Sequence, residues 1–210
     1  TSCHIVNITD KAKVLALPEE LLKIHGAVDI LINNAGIIQP FIPIQDLDLD
    51  TIQRVMDINF LGTVYMTKAF LPYFMQRPEA HIANVSSMGG FIPFPGQSVY
   101  SASKAAVKLF TEGLYGELKA TNIGVTILHP GAVKTNIMSN SGLEQNKTAT
   151  TDSAAQQKML AAPKAAAIMI DAIERNKFRA MVGKDASFLD KLYRLSPKFA
   201  VNFIIKSMGK

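Results

Sequence analysis

The sequence predicts an α/β fold, a doubly wound parallel sheet with helices on both of its faces. Short apolar runs of the kind found in buried strands recur along the 210 residues. The longer stretches between them place apolar residues three and four positions apart, as amphipathic helices do. Because strand and helix alternate, right-handed crossovers are expected, with a ligand crevice at the carboxyl ends of the strands.

The strands and helices are predicted in regular alternation. The predicted strands cover residues 5–8, 28–32, 81–85, 125–128 and 180–182. The predicted helices cover residues 11–25, 51–75, 100–121 and 164–176. Pro72 should kink or end the second of these helices, and Gly131 after Pro130 marks a turn that leaves a strand.

The chain is predicted to form a single domain, because 210 residues with 48% hydrophobic content can build one sizeable core. Residues of about 136–165 are rich in Ser, Thr, Ala and Gln and are predicted to form a mobile substrate loop. An ordinary surface loop fits their composition nearly as well.

Residues 198–210 mix Phe199 and Phe203 with lysines. A packed terminal segment is favoured there over a membrane-surface or partner-binding helix.

The composition argues against several kinds of partner. The net charge is +5, but the basic residues are dispersed, so nucleic-acid binding is not expected. A phosphate-bearing cofactor and general solubility explain the charge equally well. No apolar run reaches the roughly eighteen residues of a transmembrane segment, and the histidines lack the spacing of a zinc site, so no metal is expected. The single cysteine, Cys3, favours a reducing compartment and a cytoplasmic location.

Ser87, Tyr100 and Lys104 form the most informative group of residues. Tyr100 and Lys104 lie four residues apart on a predicted helix and so share one face, and Ser87 follows a predicted strand. Reduction of a carbonyl needs a proton donor, and a phenol can serve if its pKa falls from about 10. The Lys104 ammonium is placed to lower that pKa, and the Ser87 hydroxyl can bind the substrate oxygen.

Four motifs, in this order along the chain, carry a resemblance to a known family. They are Asn33-Asn34-Ala35-Gly36 after a predicted strand, Ser87 thirteen residues before Tyr100, the segment Tyr100-Ser101-Ala102-Ser103-Lys104, and Pro130-Gly131 with Val133 and Thr135. Together they resemble the short-chain dehydrogenase/reductase family. The resemblance implies a Rossmann-like sheet and an oxidoreductase that transfers hydride between NAD or NADP and a carbonyl or alcohol.

The resemblance also implies roles for individual residues. It implies a catalytic tetrad of Asn59, Ser87, Tyr100 and Lys104, in which Asn59 holds a water that links the lysine to solvent. The residues that it implies for cofactor binding are Asn7, Ile8, Asn33, Ala35, Gly36, Tyr100, Lys104, Pro130, Gly131, Val133 and Thr135. From the residues alone, the turn at Gly36 could be a plain strand-to-helix turn, and Thr135 could cap the next helix.

Two features of that family are missing from this sequence. It contains no glycine-rich turn after a first strand, and no residue that reads the ribose hydroxyl or its phosphate. Asn7 and Ile8 stand where the family usually has an acidic residue near the adenine. We therefore expect an N-terminally truncated, incomplete dinucleotide-binding domain that lacks the first βαβ segment and binds its cofactor poorly. The sequence does not distinguish NAD from NADP as the cofactor.

The sequence leaves the substrate and the assembly open. Phe91, Pro93, Phe94 and Pro95 could form a wall for an apolar carbonyl, or could simply pack on the following helix. The resemblance implies a homodimer or homotetramer. An alternative is a noncatalytic binding or scaffold protein that keeps the fold, although the intact Ser87, Tyr100 and Lys104 argue against it. A hydrolase is not expected, because no Gly-x-Ser-x-Gly elbow is present.

Overall fold

The computed structural model describes residues 1–143 and 159–209 and confirms the predicted α/β fold. The strands are β1 Ile30–Asn33, β2 Ala80–Val85, β3 Ile123–Pro130, β4 Val133–Lys134, β5 Leu160–Ala161 and β6 Arg179–Val182. Four of them form a parallel sheet in the order β1-β2-β3-β6, and β4 and β5 form a separate parallel pair. The carboxyl ends of β1, β2 and β3 therefore lie side by side.

The helices alternate with these strands as predicted. They are α1 Lys11–His25, α2 Leu49–Met56, α3 Gly62–Phe74, α4 Ser98–Glu117, α5 Ile137–Asn140, α6 Ala162–Glu174, α7 Lys184–Leu195 and α8 Pro197–Ser207. The helix predicted over residues 51–75 is in fact α2 and α3 joined by a π-helical turn at Asp57–Leu61. It ends two residues after Pro72, as a proline near a helix end allows.

Polar residues at the helix ends explain where two helices begin. The Asp10 carboxylate accepts a hydrogen bond from Lys13 N at 3.2 Å and caps α1. The Asp48 carboxylate accepts one from Thr51 N at 2.7 Å and caps α2. These hydrogen bonds satisfy backbone N–H groups that have no partner inside the helix.

The two faces of the sheet are covered by different helices. On one face, α3 and α4 pack on the strands through Phe70, Phe74 and Leu114, against Ile82 and Val125, and α1 packs on α3 through Val14. On the other face, α6 packs on β2, β3 and β6 through residues that are small or aliphatic: Ala83, Val85, Leu128, Ala172, Ile173 and Ala180. Burial of each large apolar side chain in these layers contributes roughly 1.5–3 kcal/mol to stability.

A third apolar cluster connects the C-terminal helices to the loop that follows β2. Ile92 from this loop packs with Leu189 of α7 and with Ala200 and Ile204 of α8. The prediction of a packed C-terminal segment is confirmed for the inner face of α8. Among the described residues, no helix combines the length and the apolar character that crossing a membrane requires.

The predicted strand over residues 5–8 is wrong. These residues belong to no strand, Ile5 is fully exposed, and Ile8 packs against the position of Gly62 at the start of α3. A strand needs a hydrogen-bonded neighbour, and within the described residues β1 pairs only with β2. The apolar run alone could not reveal this.

The predicted substrate loop over about residues 136–165 can be followed only in part. Residues 144–158 lie outside the described residues. On either side of them the chain forms regular structure, since α5 covers Ile137–Asn140 and β5 covers Leu160–Ala161. The prediction of mobility for the central part stays a prediction.

Candidate active site

Ser87, Tyr100 and Lys104 meet at the carboxyl end of β2. Ser87 follows β2 by two residues, and its hydroxyl accepts a hydrogen bond from Gly89 N at 3.0 Å, which fixes the turn that begins there. Tyr100 and Lys104 lie in the first two turns of α4. The helix thus presents the phenol and the ammonium group on one side, toward the end of the strand.

The pKa of Tyr100 is raised from its ordinary value, and burial is the main cause. The Ser87 hydroxyl next to the phenol acts in the opposite direction and lowers the pKa. The predicted lowering by Lys104 was wrong for this structure, because desolvation raises the pKa of the phenol and only the Ser87 hydroxyl opposes it. At neutral pH the phenol keeps its proton.

Lys104 is buried, with only 4% of its surface exposed. Its Nζ donates a hydrogen bond to Val85 O at 2.9 Å, and its backbone carbonyl accepts one from Ser86 Oγ at 2.8 Å. Burial lowers the pKa of the ammonium group to about 8. A Cβ atom added to Gly36 would lie 3.0 Å from Nζ, so a glycine at this turn leaves room for the lysine.

Asn59 is fully buried in the π-helical turn between α2 and α3. Its Oδ1 accepts a hydrogen bond from Ile37 N at 2.8 Å, and its Nδ2 donates to Ile37 O at 2.9 Å and to Ser103 Oγ at 2.9 Å. The amide thereby joins the loop after β1 to α4, one residue before Lys104. The water-binding role implied for Asn59 stays a prediction.

Gln39 is a site residue that the sequence did not reveal. It is 1% exposed, and its Oε1 accepts hydrogen bonds from Val99 N and Tyr100 N, both at 2.9 Å. Its Nε2 donates to Gly96 O at 3.1 Å. Gln97, the residue before α4, makes no side-chain capping bond of its own, so Gln39 caps this helix from another part of the chain.

His129 is a second residue that the sequence did not reveal. It lies in β3, is fully buried, and its Nδ1–H donates a hydrogen bond to Ser87 O at 2.9 Å. Burial lowers its pKa to about 4, so the ring is neutral at physiological pH. The ring of Phe91 meets the imidazole edge-on at 5.4 Å. The hydrogen bond from His129 therefore fixes the position of the Ser87 backbone.

The turn predicted to bind the cofactor lies beside this group, but the Asn33 side chain has a structural role. Its Nδ2 donates hydrogen bonds to Asn84 Oδ1 at 2.8 Å and to Thr67 Oγ1 at 3.2 Å inside the core. Asn33 also lines a pocket of about 80 Å³ together with Ile8 and Ala35.

Asn7 does not share that pocket. Its side chain accepts hydrogen bonds from Thr9, and it lines a neighbouring pocket of about 340 Å³ with Asp57 and Ile58. The structure thus brings three of the predicted cofactor residues together at the end of β1 and places Asn7 to one side.

The predicted nicotinamide loop begins where β3 ends. Gly131 N donates a hydrogen bond to Val182 O at 2.9 Å, and Val133 pairs with Leu160 in the small sheet. Thr135 is exposed and does not cap α5, whose N-cap residue is Asn136. Pro130, Gly131, Val133 and Thr135 therefore form one continuous segment next to the end of β3.

Asp185 fixes this loop, and the sequence did not reveal it. Its carboxylate accepts a hydrogen bond from Ala132 N at 2.6 Å. A Cβ atom added to Gly131 would overlap the same carboxylate, so the glycine is needed for the two segments to meet. An acidic residue in the first turn of a helix is common, and it gives no hint of such a contact.

The aromatic segment after Ser87 is used for packing. Phe91 and Phe94 are partly buried against the cluster of Ile92, Leu189 and Ile204. Of the two roles left open by the sequence, the structure therefore shows packing, although it is on α7 and α8 rather than on the following helix. A contact with substrate stays a prediction.

A pocket larger than the two described above lies elsewhere. It has a volume of about 640 Å³ and is lined by residues at the amino ends of the strands, among them Asp29, His81 and Asn176. It contains none of the predicted catalytic or cofactor residues. Ligands of open α/β sheets bind at the carboxyl ends of the strands, so we place the candidate site there.

Comparison with known sequences gives the family. The sequence model described as short chain dehydrogenase matches residues 2–147. This chain belongs to the short-chain dehydrogenase family. Dehydrogenase/reductase SDR family member 7B of Mus musculus is 41% identical over 134 residues, which are 64% of this chain and 41% of the mouse protein. The oxidoreductase SadH of Mycobacterium tuberculosis is 33% identical over 195 residues, 90% of this chain and 70% of SadH.

Solved structures of short-chain dehydrogenases agree with this fold. One from Burkholderia phymatum, in complex with NAD, is 26% identical with a TM-score of 0.79 and covers 92% of this chain and 75% of its own. One from Streptomyces avermitilis is 27% identical with a TM-score of 0.76 and covers 99% of this chain and 79% of its own. The chain spans less than half of the mouse relative that it matches.

Proposed function

We propose that this short-chain dehydrogenase transfers hydride between NAD or NADP and a carbonyl or alcohol substrate. The observation that carries the proposal is the arrangement at the end of β2, where a protonated phenol, the Ser87 hydroxyl and the buried Lys104 ammonium group converge. A proton donor, a hydrogen-bond donor for the oxygen and a fixed positive charge are what carbonyl reduction requires.

The residues at the ends of β1 and β3 fit a dinucleotide. Gly36 leaves open the space that a Cβ atom would fill beside Lys104 Nζ, and Ala35 is the other small residue of this turn. Gly131, Val133 and Thr135 would hold the nicotinamide end. The bound dinucleotide would supply the hydride. The relative from Burkholderia phymatum, which was solved with NAD, supports this choice of cofactor.

The side chains divide the remaining chemistry between them. The Tyr100 hydroxyl donates its proton to the substrate oxygen, because its raised pKa keeps it protonated at neutral pH. Ser87 Oγ donates a hydrogen bond to the same oxygen. Lys104, charged below its pKa of about 8, stabilises the phenolate that remains after proton transfer. Asn59 would hold the water through which the phenolate regains a proton.

Three further features belong to this proposal. An apolar substrate fits the aromatic segment at Phe91 and Phe94, which begins four residues after Ser87. A homodimer or homotetramer is supported by Leu109, which is 65% exposed on the outward side of α4. The single cysteine, Cys3, is a free and exposed thiol, which supports a reducing, cytoplasmic location.

The test is whether the chain catalyses the oxidation of NADH or NADPH by a panel of ketones and aldehydes. The reaction is monitored through the loss of the absorbance of the reduced nicotinamide. High concentrations of NADH and NADPH are used so that weak cofactor binding does not hide turnover. Turnover by the chain should fall at least about a hundredfold in Tyr100→Phe, the lower limit for loss of a general acid. Tyr73→Phe, a matched control on α3, should leave it unchanged. Cofactor binding without turnover on any carbonyl would favour a noncatalytic binding protein.

A further inference from the structure

The outer faces of α7 and α8 carry exposed apolar side chains that the proposed reaction does not use. Phe188 and Leu195 on α7 are 53% and 84% exposed, and Phe199 and Phe203 on α8 are 58% and 41% exposed. The rings of Phe188 and Phe203 meet edge-on at 6.0 Å. We call these four exposed residues of α7 and α8 the aromatic patch.

The aromatic patch extends the apolar surface of α8 beyond the part that the core covers. Phe199 and Phe203 are four residues apart and so lie on one side of α8. The adjoining side of that helix, about 100° round the axis, packs on Ile92 through Ala200 and Ile204. The core thus covers only part of the apolar surface of α8, and the exposed phenylalanines beside it indicate a further contact.

Lysines border the aromatic patch on both helices. Lys184 and Lys191 lie four residues before and three residues after Phe188, on the same side of α7. Together with Phe188 they line an open pocket of about 570 Å³, whose other residues include Ile168 and Met181. On α8, Lys206 follows Phe203 by three residues and is also exposed.

The acidic residues of the two helices do not offset this charge. Only α7 contains any, and both are turned toward the protein. Asp185 accepts the hydrogen bond from Ala132 N, and Asp190 pairs with Arg179 at 2.7 Å. The charge that borders the patch is therefore positive.

We propose that the aromatic patch docks on the surface of an anionic lipid bilayer. Exposed phenylalanines flanked by lysines are the composition of helices that lie in the membrane interface, where the rings enter the acyl boundary and the ammonium groups reach the lipid phosphates. A second copy of the chain fits less well. A twofold contact through this patch would gather Lys184 and Lys191 of both copies in one interface, with no acidic residue of α7 or α8 facing them.

The position of the patch connects it to the candidate site. The inner faces of α7 and α8 pack on Ile92, Phe91 and Phe94, in the loop that begins at Ser87. Docking would hold that loop near a bilayer, where apolar carbonyl compounds are concentrated. This consequence rests on the proposed function, whereas docking itself does not.

The experiment is co-sedimentation of the full chain with two kinds of vesicle, phosphatidylcholine alone and phosphatidylcholine mixed with phosphatidylserine. Binding should be at least about tenfold stronger on the anionic vesicles and should weaken as salt is raised. The double variant Phe199→Ser/Phe203→Ser should abolish binding. The double variant Leu15→Ser/Ile24→Ser is the matched control, because both residues are 57% exposed on α1, and it should bind like the parent chain. Circular dichroism checks that both variants fold.

Several outcomes would overturn the proposal. Equal binding to neutral and anionic vesicles, or none to either, would exclude an anionic bilayer as the partner. If the variant without Phe199 and Phe203 still bound the vesicles, the lysines alone would explain the binding and the phenylalanines would have no part in it. A concentration-dependent dimer that disappears in the same variant, without vesicle binding, would show that the patch joins two copies. None of these results depends on carbonyl reduction, so the proposed function is tested separately.

Discussion

Tyr100 depends for its position on a residue that lies far from it in the sequence. Gln39 accepts hydrogen bonds from the backbone N–H groups of Val99 and Tyr100, in the first turn of α4. Two residues earlier, Ile37 is bonded through both its N–H and its C=O to Asn59. A single loop thus orients the phenol and the asparagine together.

Replacement of Gln39 by Met should disturb Tyr100 more than it disturbs the fold. Two backbone N–H groups would lose their partner, at a cost of roughly 1–3 kcal/mol each if they stay buried. We expect the phenol to gain access to water and its pKa to fall toward the ordinary value. The measurement is a pH titration of tyrosinate absorbance, from which the titration of the same variant with Tyr100→Phe is subtracted.

Gln53→Met is the matched control for that titration. Gln53 lies on α2, and its side chain donates an exposed hydrogen bond to Asp57 at 2.7 Å. The control should leave the Tyr100 titration unchanged. If Gln39→Met also left it unchanged, Gln39 would have no part in positioning the phenol.

Lys104 should make stability depend on pH in the alkaline range. Its pKa is about 8 in the folded chain against an ordinary value of 10.5, so burial of the charged form opposes folding below pH 8 by roughly 3 kcal/mol. Between these two pKa values the folded state releases the proton while the unfolded state keeps it, and the penalty disappears.

Urea unfolding of the parent chain and of Lys104→Met, from neutral pH to about 10.5, measures this effect. The free energy of unfolding of the parent chain should rise relative to the variant as the pH increases through this range. A constant difference between the two proteins would mean that Lys104 has an ordinary pKa when folded.

At the scale of secondary-structure elements, the loop after β3 depends on the start of α7. The Asp185 carboxylate meets Ala132 N, and Gly131 leaves the space that this contact needs. The element that follows β6 therefore shapes the segment expected to hold the nicotinamide.

Asp185→Ala should loosen the loop after β3, whereas Asp185→Asn should keep it, because the amide oxygen can still accept from Ala132 N. We expect Asp185→Ala to lower the free energy of unfolding by roughly 1–3 kcal/mol and to weaken NADH or NADPH binding, measured by nicotinamide fluorescence. Asp50→Ala is the control, since Asp50 also lies in the first turn of a helix. If Asp185→Ala lowered the free energy of unfolding no more than Asp50→Ala does, the contribution of Asp185 would be limited to its interaction with the helix dipole.

The helices and strands also show what the spacing of apolar residues can predict. The helix over residues 11–25 was predicted with its observed ends, because the spacing of its apolar residues is a local signal. The strand predicted over residues 5–8 was wrong, because a strand requires a neighbour that its own residues cannot specify. The π-helical turn at Asp57–Leu61 also left no trace in the pattern.

At the scale of the whole molecule, the parallel order of β1, β2 and β3 assembles the candidate site. The sequence placed Ser87, Tyr100 and Lys104 near one another, through the helical spacing of the last two and the resemblance to a family. Gln39, His129 and Asp185 could not be predicted, because their hydrogen bonds to the site join residues 42 to 61 positions apart. Only the folded chain brings such pairs together.

The most direct test of the central claim is transfer of deuterium from the nicotinamide to a carbonyl carbon. NADH and NADPH deuterated at the hydride-donating carbon are incubated with the chain and an apolar ketone, and the alcohol is analysed by mass spectrometry. We predict one deuterium on the carbinol carbon, with the yield lost in Tyr100→Phe and retained in Tyr73→Phe. Cofactor binding without labelled alcohol, or the same yield from Tyr100→Phe, would contradict the assignment of this site.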